Sequence, residues 1–292
     1  MVFKNTQKMN KCIVLILLCV LKCLFMTAQD NHTLRTMSFN VRYDNPKDGI
    51  NNWHNRKENI VKMLKFYDVD IIGMQELLKH QLEYLEGNLK AYRYVGVGRE
   101  DGKIKGEFAP IFYKKEKYRL VDSGTFWLSE TPDSVSKGWD ASFERIVTWA
   151  IMENHQTKKH FLFMNTHFDH RGRKSKVESV KLLKKRAESI AEDLAWIITG
   201  DFNLLPDTES MQILLESNGF YTIKNTYDLA ETTYGPNWTV CGFDNKPFEE
   251  REVIDYIFVK GVKKIYKHGV LAEKANNIFL SDHCPVFVEL EL

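Results

Sequence analysis

The chain has 292 residues, 27% of them charged, and its 41 Lys and Arg against 39 Asp and Glu give a formal net charge of +2. Four of those bases, Lys4, Lys8, Lys11 and Lys22, lie in residues 1–28, which hold no acid; without them 37 bases face 39 acids and the net charge is −2. A protein that gripped nucleic acid through phosphate contacts alone would be basic, because counterion release drives that binding, so this balance argues against a strong nonspecific nucleic-acid binder.

The chain begins with a targeting pattern. Lys4, Lys8 and Lys11 precede an apolar run from Cys12 to Phe25, broken only by Lys22, and Met26-Thr27-Ala28 then lead into polar Gln29-Asp30. A basic start, a short greasy stretch and small residues are the plan of a secretory signal peptide. The run falls short of the ~20 residues a membrane-spanning helix needs. Residues 1–28 are therefore expected to be cleaved, leaving 29–292 as one exported domain, periplasmic or extracellular, with no stable membrane span. Cys241 and Cys284 are the only cysteines left, and export permits a disulfide between them. Two small buried thiols fit as well. No Pro/Gly/Ser linker, repeat or low-complexity tract divides the chain, and nothing in it points to an obligate protein partner.

Met37 to Arg42 alternates apolar and polar residues, the pattern of a half-buried strand. Ile60, Met63, Leu64 and Tyr67 recur at helical spacing. Val69 to Met74 reads as a buried strand ending at Gln75-Glu76, and Leu78, Leu82, Leu85 and Leu89 stripe a second helix. Strand-like runs follow near Tyr92–Val97, Phe108–Tyr113, Tyr118–Phe126, Ile146–Met152 and Phe161–Thr166. Val177, Val180, Leu183, Ala187, Ile190 and Leu194 mark the longest helix, with a strand at Trp196–Thr199 behind it. Pro206-Asp207-Thr208 opens another helix that Gly219 is placed to stop. Late strands cover Val253–Val259 and Pro285–Leu290. Strands outnumber helices and many lack a crossover helix, which predicts an α/β fold of two mixed sheets flanked by helices rather than a doubly wound parallel sheet.

Chemically capable residues recur where the apolar strand runs end: Asn40, Glu76, His167, Asp201 with Asn203, Asp255, and Asp282 with His283. Taken singly, an Asp or Asn at such a place is most simply a turn former. Together they form an oxygen-rich set with two imidazoles and no paired cysteines. That set suits a hard cation, Mg²⁺ with Mn²⁺ or Ca²⁺ as alternatives, better than zinc.

Six ordered segments carry a more specific resemblance: Ser38-Phe39-Asn40-Val41-Arg42, Gln75-Glu76, Asn165-Thr166-His167, Gly200-Asp201-Phe202-Asn203, Ile254-Asp255-Tyr256-Ile257-Phe258 and Ser281-Asp282-His283-Cys284-Pro285-Val286. The series resembles the deoxyribonuclease I-like endonuclease/exonuclease/phosphatase family, in an exported bacterial branch without an assigned substrate. The resemblance implies a four-layer α/β/β/α sandwich and a metal-dependent phosphoric ester hydrolase. It implies that Glu76 is the principal metal ligand, with Asn40 beside it touching metal water or phosphate, and with Asp282 either in the metal shell or buttressing His283. Asp201 and Asn203 would align water and phosphate, His283 would act as base or cationic clamp with Asp255 on its other nitrogen, and His167 would serve the leaving group or the phosphate. Glu107 falls where related enzymes carry a glutamate that orients this second histidine, though a solvated Glu fits too.

Arg145, before the Ile146 strand, offers a bidentate fork for phosphate, with a surface ion pair to Glu144 as the alternative. Asp169, His170, Arg171 and Arg173 follow His167 and are expected to line the substrate pocket. The substrate is a phosphate ester whose carrier stays open: a small molecule, a glycan, a lipid headgroup or a nucleic acid. A secreted nuclease and a noncatalytic binding module on the same fold are the competing readings.

Overall fold

The computed structural model describes residues 33–292 apart from Glu192 and Asn218; the expected signal peptide lies outside the described residues. In chain order these form β1 (Thr33–Asn40), α1 (Trp53–Phe66), β2 (Ile71–Gln75), α2 (Lys79–Asn88), β3 (Tyr92–Val95), β4 (Ile111–Lys114), β5 (Tyr118–Trp127) and β6 (Ile146–Asn154). Then come β7 (His160–His167), α3 (Arg173–Ala191), β8 (Ala195–Asp201), α4 (Glu209–Leu215), β9 (Lys224–Asn225), α5 (Thr226–Leu229) and β10 (Thr232–Tyr234). The last are β11 (Asp255–Lys260), β12 (Lys264–Val270), β13 (Lys274–Ala275), β14 (Ile278–Phe279) and β15 (Val286–Glu291).

One sheet has seven strands in the order β10-β12-β15-β1-β2-β4-β3, and the other has six in the order β5-β6-β7-β8-β11-β9. Both are mixed: β1 runs parallel to β2 and β7 to β8, while β4 and β11 lie antiparallel to β2 and β8. The apolar residues sort into three layers of core. Ile71, Ile111, Phe163, Ile197, Ile257 and Val288 pack between the sheets. Ile60, Leu64, Leu82 and Leu85 cover the first sheet, and Val180, Leu183, Ala187 and Leu214 cover the second. This is the four-layer α/β/β/α sandwich expected from the sequence.

Helix boundaries follow from caps. The Asn52 side chain accepts from Asn55 N at the start of α1, and Thr208 does the same for Met211 N at α4, each satisfying an otherwise orphaned amide. The stop expected at Gly219 does not hold, because α4 ends at Leu215 with Glu216 as its C-cap. Strands β9, β10 and β12 carry no clean alternation and escaped the sequence reading. Cys241 and Cys284 are buried free thiols.

Strand register delivers the polar residues to one edge. Asn40 pairs with Gln75, the residue before Glu76; Asp201 pairs with His167 on one side and with Asp255 on the other. The two sheets meet under this edge at Gly73, where a Cβ would sit 2.5 Å from Asn165 Oδ1 and closer still to Thr199 Oγ1. Asn165, fully buried, fills that contact. Its Nδ2 donates to Met74 O at 2.7 Å and Pro110 O at 2.9 Å, and its Oδ1 accepts from Gln75 Nε2 at 2.7 Å and Thr199 Oγ1 at 3.1 Å. Replacing Asn165 by Leu strands several of these buried groups at about 1–3 kcal/mol each. Chemical denaturation of Asn165→Leu is expected to show a loss of about 3 kcal/mol or more at an unchanged slope; a loss below about 1 kcal/mol would mean that water replaces the amide.

Candidate active site

Asn40 ends β1 fully buried, and its Nδ2 donates to Glu76 Oε1 and to Asp201 Oδ2, both at 3.0 Å. One amide thus ties an acid of the first sheet to an acid of the second. Glu76 has left the strand with a positive φ of 64°, a strained conformation for a residue with a Cβ, and its Oε2 accepts from Tyr43 N at 3.1 Å. Asn203 also has positive φ; its backbone amide donates to Asp201 Oδ1 and its side chain to Phe168 O. Across the edge, His283 Nδ1 bonds Asp255 Oδ2 at 2.8 Å and lies 3.8 Å from Asp201 Oδ2, while His167 Nε2 lies 3.6 Å from that same oxygen.

These residues surround a cleft of about 270 Å³ lined by Glu76, His167, Asp201, Asn203 and His283, and by Arg42, Tyr43, Arg99, Glu107, Phe143, Arg145 and His170. Its electrostatics separate the two imidazoles. Burial alone would lower His283, but the Asp255 carboxylate, with Asp201 and Asp282, outweighs it and holds the ring well above its ordinary value. Burial lowers His167 well below that value, and Arg145 and Arg99 push the same way. One ring is therefore cationic and the other neutral at neutral pH. Asp201 is pushed up to about 7 by burial and the neighbouring Asp255, where a carboxylate can take and return a proton.

Two donor sets could hold a metal ion. Asp201, Asp255 and His283 offer ligand atoms within 4.8 Å of one another. His283 Nδ1 is already spent on Asp255, and a cationic ring is no ligand, so a metal there would have to break that pair. The carboxylates of Glu76 and Asp282 are the other candidate donors. Burial raises Asp282, and Glu76 adds repulsion to both Asp282 and Asp201. His283 and Arg42 answer part of that repulsion, and a hard divalent cation would relieve the rest, so these oxygen donors fit the ion.

The sequence profile described as the Endonuclease/Exonuclease/phosphatase family matches residues 37–283. The chain belongs to the endonuclease/exonuclease/phosphatase family. It is similar to an endonuclease/exonuclease/phosphatase of Bacteroides vulgatus, with 40% identity, a TM-score of 0.86 and coverage of 89% of this chain and 99% of that one. It is also similar to a mannosyl-6-phosphatase of Bacteroides thetaiotaomicron, at 37% identity and a TM-score of 0.83 over 89% and 100% of the two chains. An uncharacterised protein of Acanthamoeba polyphaga mimivirus is 28% identical over 82% of this chain and 92% of its own. Enzymes of this family are hydrolases acting on phosphoesters, and they are typically dependent on divalent metal. Among the described residues no helix is long and apolar enough to cross a membrane.

For this family member, the sequence-derived residues Asn40, Glu76, Asp201, Asn203, Asp255, Asp282, His283 and His167 gather around one strand edge. Glu107 lines the cleft half-buried, its Oε2 3.9 Å from His167 Nδ1, and it pairs bidentately with Arg99 at 2.8 and 3.0 Å. Arg145 faces the same cleft, paired with Asp169 at 3.6 Å and His170 rather than with Glu144. Two expectations need correction. Arg173 opens α3 with its side chain 91% exposed, beside Glu209 at 3.8 Å, because the helix turns it outward and away from the cleft. Asp169 is buried under the loop: its oxygens accept from the amides of Ser142, Arg171 and Gly172, so it shapes the wall without lining it.

The sequence reading gave no role to Arg42, which pairs with Asp48 at 3.1 Å and Asp282 at 3.6 Å. It gave none to Phe143, or to Arg56 as a fastener. Arg56 is buried and donates to Val41 O and Leu280 O, fixing the chain on either side of the site. Its place in α1 next to an apolar stripe was the available signal. Asp255→Asn removes the charge that outweighs burial at His283. The His283 ring, followed by NMR, is then expected to titrate at lower pH than in the parent protein; an unchanged titration would show that Asp255 does not set its charge.

Proposed function

We propose that the chain is an exported, metal-dependent hydrolase of phosphate esters, a phosphatase or phosphodiesterase. The observation that supports this most is the joint hold of Asn40 on Glu76 and Asp201 while Asp255 holds a cationic His283 over the same cleft. Magnesium is the favoured ion, with manganese or calcium as alternatives, since the free donors are oxygens. Glu76 and Asp282, with Asn40 beside them, would hold it. When bound, the cation supplies charge neutralisation at the phosphoryl oxygens.

The remaining work falls to the protein's own groups. His283 presents a positively charged N–H to a phosphoryl oxygen as negative charge builds there. Asp201, with its proton affinity near neutrality, accepts the proton of the attacking water, and Asn203 positions that water or a phosphate oxygen. His167, held neutral, hydrogen-bonds the phosphate or the leaving oxygen, and Glu107 limits how its ring turns. The cleft volume of about 270 Å³ suits a small phosphorylated molecule, and the likeness to a mannosyl-6-phosphatase favours a phosphorylated sugar or glycan.

A secreted nuclease shares the chemistry, but the net charge of −2 without residues 1–28 and the acids spread among the lysines of α3 disfavour a nucleic-acid surface. A binding module without turnover is disfavoured by the opposed charge states of the two imidazoles, which binding alone does not require.

Phosphate release from sugar phosphates, nucleic acids and phospholipid headgroups with Mg²⁺, with and without chelator, tests the proposal. Chelator-sensitive release is expected, and His283→Ala should lower it by about 10²–10⁴-fold. Silence across the whole panel, or full activity in the variant, would discard the reading, and plasmid nicking without phosphate release would favour the nuclease. Export carries its own check: the secreted chain should begin at Gln29, and a retained Met1 would refute cleavage after Ala28.

A further inference from the structure

The cleft has a second end that the proposed chemistry does not use. Arg145 is 4% exposed, yet its Nη1 has no hydrogen-bond partner, its Nε has only the Asp169 carboxylate at 3.6 Å, and Arg99 Nε, 7% exposed, has no hydrogen-bond partner either. Buried donors in a folded protein are normally satisfied, and an unpaired one costs about 1–3 kcal/mol, more when charged. Both side chains are held in place by their other atoms. Arg99 gives both terminal nitrogens to Glu107, and Arg145 Nη2 meets His170 Nδ1 at 3.3 Å. Phe143, half exposed at the mouth, lies over both guanidinium groups at 5.2 and 5.9 Å and stacks on His170 at 6.0 Å. Beside the arginines little space is left: only about 10 Å³ lies between Arg99, Arg145, Glu107, Phe108 and Ile146.

The geometry points to a dead-end anion seat, in which Arg145 and Arg99 under Phe143 read the terminal oxygens of a phosphate and make the enzyme a monoesterase. This rests on the phosphoesterase reading above. A phosphomonoester carries three non-bridging oxygens. The metal side and His283 engage part of them, and the remaining oxygen turns toward the guanidinium donors. In a diester that oxygen bears a second carbon group. It has lost its negative charge, accepts weakly, and its substituent needs room where the wall is shut. A site built around buried donors rejects an analogue that cannot pair with them far more strongly than an apolar pocket rejects a misfit. Arginine suits the task because its planar fork matches two oxygens at once.

4-Nitrophenyl phosphate and its methyl ester share a leaving group and differ by one methyl on a non-bridging oxygen, so the pair isolates the seat. With Mg²⁺, kcat/KM for the monoester is expected to exceed that for the diester by at least about 100-fold. Arg145→Met should lower the monoester value far more than the diester value, so the ratio collapses, while Arg145→Lys, which keeps charge without the fork, falls between. A diester turned over as fast as the monoester, or a variant that lowers both by one factor, would overturn the inference.

Inorganic phosphate and dimethyl phosphate serve as a readout independent of turnover. Phosphate should raise the melting temperature of the parent protein, with a smaller rise in Arg145→Lys and in Arg145→Met, and dimethyl phosphate should raise none. Equal protection by both anions, or phosphate protection unchanged in the variants, would also overturn it. If neither ester is hydrolysed, the phosphoesterase reading falls, and these melting shifts still decide whether the seat recognises a terminal phosphate.

Discussion

The distance between the two sheets at the site edge is set by one buried amide. Asn165, on β7 of the second sheet, donates to carbonyls of Met74 and Pro110 in the first and accepts from Gln75. It sits against Gly73, the one position on β2 where a missing side chain lets the sheets approach this closely. Everything polar above it spans the same gap. Asn40 belongs to one sheet and Asp201 to the other, and their 3.0 Å bond exists only if the strands below stay at this separation. Sheets packed on side chains alone lie about 10 Å apart, too far for one short amide to bridge. A buried amide with its donors and acceptor satisfied is expensive to disturb, which is why so local a feature can position residues far apart in sequence.

With that frame fixed, charge divides the labour. The second sheet holds His283 cationic through Asp255 and leaves His167 neutral beside Arg145 and Arg99. The two rings both approach Asp201 Oδ2, at 3.8 and 3.6 Å, so a single carboxylate oxygen is shared between a proton-rich and a proton-poor partner. The first sheet contributes further acid: Glu76 repels both Asp201 and Asp282. Arg42 answers part of it from 3.6 Å, a distance that tempers the repulsion without cancelling it. The residual favours a cation and disfavours the empty fold, the usual direction of a trade between stability and function.

Much of this was legible in the sequence because strand ends are legible. A buried strand shows as an apolar run, and its register fixes which terminal residue faces which neighbour. Asn40, Glu76, His167, Asp201 and Asp255 therefore announce themselves by position. The loops do not obey that rule. Asp169 and Arg173 lie close behind His167, and proximity in sequence suggested a shared pocket. Yet Asp169 turns under its loop to bind three amides, and the first turn of α3 swings Arg173 into solvent. Phe143 was hidden for the complementary reason. It joins the cleft through a long connection whose path depends on tertiary contacts such as the bond from Ser142 N to Asp169 at 2.8 Å, and no periodicity reports those.

The same loops explain how a shared edge can take different substrates. Asn40, Glu76, Asp201, Asp255 and His283 stand on or beside strands whose ends are held by ladder hydrogen bonds, and little there can vary without disturbing the sheets. Phe143, His170 and the backbone before Arg145 belong to connections anchored mainly by Asp169, whose carboxyl the three amides hold below its usual range against the pull of burial. A carboxylate kept ionised inside the wall is a firm anchor at neutral pH, so the loop that carries the aromatic roof is as well placed as the strands without being part of them. Chemistry and selection are thus fastened by different interactions: the first by sheet register and Asn165, the second by loop contacts that include the buried Asp169. A change in the loop between Trp139 and Arg145 can therefore alter which ester enters without moving the groups that would cleave it.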